Sequence, residues 1–414
     1  MDSRAPVDAP AAVAVSAAVT DRAALAAPST VGAAPPVASA TTLAALACAA
    51  LLAACGGDGP GTGPGPDPPP PLAIEVTGRL ERGAVVAFRA FRSGESEPAA
   101  GVAWSAEPAA AVAWLAGDSA RLLRAEQVVI TAEAAEARGE RVIDVAAPPV
   151  VIFDLLRDGN RDIYRVALDG GELVRLTTHA ADDRDPTVAG GTIAFVSYRD
   201  GNAELYALPV DGSGAAPTRL TTTAASESDP SLSPDGARLA YASDATGVAK
   251  LWTAAADGSA AARVTAGFGH DGSIEGGPSW APGSDRVVFM ATSRGSADLY
   301  VLDATTGTIE ARVVDGAADV EPAWSPDGDR VVFASNRDGP TNLYLLDAAT
   351  GTVTRLTRGA GPDGQPAWLP DGRIVYVSWE PGAPELRWID PATPAVVYVV
   401  PIGAGAPGHP TATN

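Results

Sequence analysis

The sequence predicts an all-β chain: a six-bladed β-propeller of four-stranded blades, with a small β-sandwich before it. Two observations predict this. Gly (44) and Pro (36) are abundant and aromatics make up only 6%, a mix suited to short strands joined by many turns. The second half also repeats itself, with three independent markers each recurring six times at intervals of 42 to 48 residues. The elements follow in chain order.

Residues 41–54 read TTLAALACAALLAA, an apolar run of signal-peptide length that is short for a membrane span. It ends in Leu52-Ala53-Ala54-Cys55 followed by Gly56-Gly57, which resembles the bacterial lipobox. That resemblance implies cleavage before Cys55 and lipidation of its thiol, so residues 1–54 are expected to be a signal peptide with a disordered extension. By the enterobacterial sorting rule, Gly56 rather than Asp after the cysteine implies the outer membrane, facing the periplasm or the cell surface. The lipid would then be the protein's only membrane attachment. From 55 to 71 the chain is rich in Gly and Pro and buries nothing, which predicts a tether of up to roughly 50 Å.

Residues 72–147 carry short strand-like runs: 72–78, 84–91, 100–106, 120–125, 127–134 and 140–146. Alternation such as Val102/Trp104 and Val129/Thr131 fits strands with one buried face. The progression Val102-Ala103-Trp104-Ser105, Ala111-Val112-Ala113, Val129-Ile130-Thr131-Ala132 resembles bacterial Ig-like domains, which implies a spacer or adhesive sandwich.

The propeller is predicted over 148–414. SPDGARLAYASD (233–244) returns as SPDGDRVVFASNRDG (325–339) and LPDGRIVYVS (369–378). One marker is the aromatic series Phe153, Phe195, Tyr241, Phe289, Phe333, Tyr376. A second is Tyr164, Tyr206, Trp252, Tyr300, Tyr344, Trp388. The third is Pro186, Pro230, Pro278, Pro322, Pro366, Pro410, read as opening the strand before each Pro-Asp-Gly turn. A single four-stranded sheet cannot cover both its faces, so such units stack radially. The first unit lacks a leading xPxW strand and the chain finishes on one. Residues 408–413 are therefore expected to complete the blade begun at 150–155 and remove an open edge.

Asp327, Gly328, Phe333, Ser335, Leu343 and Tyr344 stand where the TolB-type propeller repeat has P-D-G, [FY]-x-S and L-Y, so residues 148–414 resemble that family. The segment Ala281-Pro282-Gly283-Ser284 and the pair Arg387-Trp388 depart from its pattern. The resemblance implies partners in the cell envelope, such as peptidoglycan-associated lipoproteins.

The repeat places Asp185, Asp229, Gly277, Glu321, Gln365 and His409, each just before a marker proline, around the mouth of the central channel. Asp182, Asp183, Glu227, Asp271, Glu275 and Asp319 lie beside them. Together they predict an acidic rim, offset by Arg184 and by Arg157, Arg199 and Arg337 of the Arg-Asp-Gly loops. Three readings of the rim stay open: solvated charge, a surface for a basic or polar partner, or a site for a hard cation such as Ca²⁺. The candidate binding residues are Asp185, Asp229, Glu321, Gln365 and His409.

A net charge of −21 argues against nucleic acid, which demands a basic face. Cys48 and Cys55 are the only cysteines, and His179, His270 and His409 show no zinc-ligand spacing. No GxSxG nucleophile elbow appears. No catalytic residue, resident metal or cofactor is assigned. The expectation is a monomeric, non-catalytic envelope protein that binds a protein or glycan. The alternative is a metal-assisted hydrolase or lyase acting on polysaccharide at the channel mouth.

Overall fold

The computed structural model describes residues 71–135, 137–380 and 382–412. The expected signal peptide, the lipidation site Cys55 and all but the last residue of the tether lie outside them. The chain divides into two compact units that meet at residues 147 and 148, and no α-helix occurs among the described residues.

The first unit has seven strands: β1 (Leu72–Thr77), β2 (Val85–Arg92), β3 (Ala103–Glu107), β4 (Val112–Trp114), β5 (Ser119–Leu122), β6 (Gln127–Ala134) and β7 (Ala137–Asp144). They form two sheets, ordered β1-β2-β5-β4 and β3-β6-β7. One apolar cluster fills the space between, with Phe88, Leu122, Val128 and Ile130 almost wholly buried. The short β4 was not among the expected runs. In β6 the core face is Val128, Ile130, Ala132 and Ala134 rather than the face of Val129, because side chains alternate along a strand.

The second unit is six four-stranded antiparallel sheets. The inner strands are Asp183–Ala189, Glu227–Leu232, Glu275–Trp280, Asp319–Trp324, Asp363–Trp368 and Ala406–Ala412. Each packs against the next, and Ala406–Ala412 meets Asp183–Ala189, so they close a ring. We number the blades by their second strands: Val150–Arg157 (blade 1), Thr192–Ser197 (2), Arg238–Ser243 (3), Arg286–Ala291 (4), Arg330–Ser335 (5) and Ile374–Ser378 (6). Ala406–Ala412 pairs with Val150–Arg157 of blade 1, so the expected closure is present.

The marker residues do the packing. Phe333 lies opposite Tyr344 with ring centroids 5.9 Å apart, and the 153/164, 195/206 and 289/300 pairs repeat this. The turns leading into the second strands of blades 3, 4 and 5 each feed an arginine across to the next blade: Arg238 stands over Trp280 (4.3 Å), Arg286 over Trp324 and Arg330 over Trp368, whereas Arg373 of blade 6 lies over Trp388 of its own blade.

Two expectations are corrected. In blade 6 the residue opposite Tyr376 is Arg387, so Trp388 is not the sixth member of the second aromatic series. One step along a strand puts a side chain on the other face, where Trp388 stacks on Tyr398 at 4.0 Å. The marker prolines also do not open the inner strands. Each sits inside one, three residues after its start (four for Pro410), where the pairing register shifts (between Val320 and Ala323, for example). Proline brings no N–H to the ladder and fits at such a bulge.

Candidate functional site: the ring at the channel mouth

The bulge sets up the site. In every inner strand the residue before the marker proline is left-handed: Asp185 (φ 51), Asp229 (φ 50), Gly277 (φ 55), Glu321 (φ 53), Gln365 (φ 53) and His409 (φ 40). That region is costly for non-glycine residues, on the order of 1–3 kcal/mol each, so five of the six positions hold strain in one ring. Asp185, Asp229, Glu321, Gln365 and His409 are thus brought together as expected.

Their side chains reach sideways, and three of them accept the backbone N–H of the next ring residue. Asp229 Oδ2 accepts from Gly277 (3.2 Å), Glu321 Oε2 from Gln365 (2.7 Å) and Gln365 Oε1 from His409 (3.0 Å). The circuit returns through His409, whose Nδ1 lies 2.7 Å from Asp185 Oδ1 and 2.9 Å from Asp154 Oδ1. Glycine precedes Gln365 and His409 because these bonds need the space. A Cβ on Gly364 would stand 3.0 Å from Glu321 Oε2, and one on Gly408 2.9 Å from Asp154 Oδ2.

The electrostatics follow. Burial pushes the Asp229 carboxyl up to about 6, with the charge of Asp185 adding to it, and burial also raises Glu321. Burial opposes charge on His409, but the carboxylates of Asp185 and Asp154 outweigh it and hold the imidazole well above its usual range. Burial likewise opposes charge on Asp154, which His409 and Arg161 outweigh and hold low. Gln365 limits what His409 can do. Its Oε1 is committed to the His409 N–H, so its Nε2 faces His409 Nε2 at 2.9 Å and needs an acceptor there. The two carboxylates at Nδ1 favour the charged imidazolium, while the Gln365 amide at Nε2 opposes its second proton; the Nδ1 proton is shared between Asp154 and Asp185.

Asp154 was not foreseen. It is fully buried on the second strand of blade 1, where the other blades carry Val196, Ala242, Met290, Ala334 and Val377. An aspartate inside VVIFDLL was a readable signal, since an unpaired buried carboxylate is costly. Asp154, Asp185 and His409 offer ligand atoms within 4.8 Å of one another, a group that could hold a metal ion. Binding one would displace the Nδ1 proton, place a proton on Nε2 and force the Gln365 amide to turn.

The acidic rim around this ring is mostly internal. Asp183, Glu227, Glu275 and Asp319 are buried. Asp183 takes Arg199, Asp319 takes Arg337 and Glu275 takes Lys250 as ion-pair partners. Arg199 and Arg337 therefore do not offset surface charge: each lies over the aromatic pair of its own blade, Arg337 at 5.3 Å from Phe333 and 5.0 Å from Tyr344. Arg157 differs from both, being exposed beside the hairpin turn at Asp158 and Gly159. Asp182 holds Arg184, and Asp271 is exposed.

Residues 277–391 match the family model described as the TolB beta propeller domain. Among solved structures, the chain is similar to TolB from Acinetobacter baumannii (TM-score 0.59, 15% identity, covering 73% of this chain and 81% of that one). It is also similar to a putative TolB from Agrobacterium tumefaciens (TM-score 0.50, 19% identity, 61% and 87%). A chain of Kuenenia stuttgartiensis hydrazine synthase gives TM-score 0.52 at 13% identity, over 64% of this chain and 46% of that one. No curated protein sequence matches this chain. At such identities the structures speak to fold alone, and with the family match over three blades they give the conclusion: the second unit is a TolB-like β-propeller.

Proposed function

We propose that this chain is a non-catalytic binding protein of the bacterial envelope, whose propeller presents the channel-mouth ring to a protein or glycan partner. One observation carries the reading. Five polar side chains from five inner strands converge on one mouth: Asp229, Glu321 and Gln365 accept backbone N–H groups of neighbouring strands, and His409 pairs with Asp185. A rigid, acidic, strained rim is a recognition surface for a basic or polar group.

The remaining assignments extend this reading. Cys55 is the lipid attachment point after a signal peptide ending at 54, with a tether over 55–71, and the outer membrane is the destination. The unit over 72–147 is an Ig-like spacer. Its sheet order, β1-β2-β5-β4 against β3-β6-β7, corresponds to the A-B-E-D and C-F-G arrangement and supports this. The propeller spans 148–414 and acts as a monomer. No helix among the described residues is long and apolar enough to cross a membrane.

The test compares wild type with the D185N/D229N/E321Q variant in binding to cationic peptides and to a glycan panel. Binding that weakens with salt and is lost in the variant supports the rim as the recognition surface. Equal binding by both proteins rejects it. A second reading, metal-assisted cleavage of a polysaccharide, draws on the Asp154, Asp185 and His409 group. It requires a stoichiometric ion, so elemental analysis and a Ca²⁺ or Mn²⁺ thermal-shift titration decide it.

A further inference from the structure

Blade 6 has an outer edge unlike the other five. The fourth strand of each sheet is its outermost, and in five blades it carries an arginine: Arg175, Arg219, Arg263, Arg312 and Arg355. Charge of this kind on an edge strand discourages another chain from pairing with it. In blade 6 the outermost strand is Val397-Tyr398-Val399, with no charge at all. Val399 stands opposite Arg387 where Arg355 of blade 5 stands opposite Tyr344. All three residues are close to half exposed (44, 46 and 51%). Tyr398 is braced from beneath by Trp388, so the edge is held flat and open.

A cavity of about 540 Å³ adjoins the C-terminal end of this edge, and the sequence of blade 6 explains it. In blades 1, 2 and 5 the third strand begins in a buried polar node. Asp162, Glu204 and Asn342 are inside, and the hydroxyls of Thr177, Thr221 and Thr357 accept the N–H of Ile163, Leu205 and Leu343. Blade 6 has Glu385 in the place of Asn342, but its side chain is 43% exposed. Val400 donates to Leu386 as Leu356 does to Leu343 (2.8 Å each), so Pro401 follows where Thr357 does and brings no hydroxyl. The node is not filled, and the space is left open, lined by Leu386, Val399, Pro401, Glu380, Glu385 and Arg387.

That lining has an apolar part and an acidic part. Arg387 bonds both glutamates and is the most covered of the three, at 16% exposed against 35% for Glu380 and 43% for Glu385. Two carboxylates facing outward over one arginine leave an excess of negative charge, in a chain whose net charge is already −21. A basic group complements it.

We propose that the edge of blade 6 takes an extended segment of a partner protein as a fifth strand, with a basic side chain of that segment lying on Glu380 and Glu385. Main-chain hydrogen bonds to Val397–Val399 supply the affinity and the cavity supplies the selectivity. This surface is separate from the channel-mouth ring and does not depend on it. Every pairing in blade 6 is antiparallel. An antiparallel fifth strand starts at the cavity, so the basic residue belongs at the N-terminal end of the segment.

The probe is a fluorescent hexapeptide of alternating threonine and valine with lysine at its N-terminal end, read by anisotropy against the full-length protein. It is expected to bind better than the same peptide with glutamate there, and better than one with lysine at the C-terminal end. Val397→Lys combined with Val399→Lys, both at exposed positions, should weaken binding about tenfold. Glu380→Gln with Glu385→Gln should remove the preference for lysine over glutamate. A measurement on the wild-type protein alone guards against misfolded variants. N-methylation of alternate residues of the probe should abolish binding in one phase and spare it in the other, because only alternate N–H groups face the edge. No binding of the lysine probe at millimolar concentration overturns the proposal, as does equal binding by the Val397 and Val399 double variant or by both methylated probes. Sedimentation that shows a dimer broken by the same lysine substitutions would assign the edge to a second copy of this chain, and overturns it too.

Discussion

At the residue scale, identical tripeptides take different duties according to what surrounds them. Arg337-Asp338-Gly339 sends its arginine inward to Asp319 (2.7 Å) and across two rings, while Asp338 accepts from the Tyr344 hydroxyl (2.6 Å). Arg157-Asp158-Gly159 is a two-residue hairpin whose arginine is exposed, with Asp158 at φ 55 and Gly159 at φ 87. Removing one partner of a buried ion pair strands the other charge. Arg337→Ala is therefore expected to cost about 3–5 kcal/mol, and Arg157→Ala no more than about 0.5 kcal/mol. Urea unfolding of the two variants checks this contrast. The same logic explains why Asp154 tolerates complete burial, since Arg161 and His409 both hold its charge.

At the element scale, blade 6 exchanges one stabilising device for another. Where blade 5 has Arg337 over Tyr344, blade 6 has Glu380 with Arg387, which bonds Glu380 (2.8 Å) and Glu385 (2.7 Å). The two substitutions make sense only together. Arg387→Tyr alone leaves both glutamates without their arginine and should destabilise. Adding Glu380→Arg rebuilds the arginine-over-tyrosine arrangement of blade 5. A double-mutant cycle is expected to give a coupling of about 1–3 kcal/mol between the two positions. An additive result would show that the blade does not use this exchange. The pair was visible in the sequence as an Arg-Trp where Leu-Tyr is usual, but the compensation was not. Glu380, in the loop after Ile374–Ser378, and Arg387, on the next strand, are seven residues apart, and only the pairing of Tyr376 with Arg387 sets the register that joins them.

At the scale of the whole molecule, the ring is held by its ends. Ala406–Ala412 supplies the inner strand of blade 1 and carries His409, which ties blade 1 to blades 2 and 6 through Asp154, Asp185 and Gln365. Removing residues 406–414 should lower the melting temperature of the propeller sharply. The truncation would expose Val151 and Ile152 and strand the buried charge of Asp154. An unchanged melting curve would refute the role of this strand in closure. Closure by the last strand also makes the channel-mouth ring complete only in the folded whole, since its six members are spread over residues 185–409.

The sequence by itself determined the number of blades, the first aromatic series, the spacing of the prolines, the closing strand and which six residues precede those prolines. Each of these is written as a period, and a period survives without knowledge of contacts. Tertiary structure alone decided whether a charge is at the surface or inside. The acidic neighbours of the ring read as a rim, yet Asp183, Glu227, Glu275 and Asp319 are buried in polar nodes. The left-handed backbone before each proline is also invisible in sequence, because five of the six residues there are not glycine. The physical reason is common to both. Composition and spacing do not record contacts between strands: the arginines that let Asp183 and Asp319 be buried stand 16 and 18 residues away on the far side of a hairpin, and the side chains that hold Gly277 and Gln365 come from another blade 48 and 44 residues away.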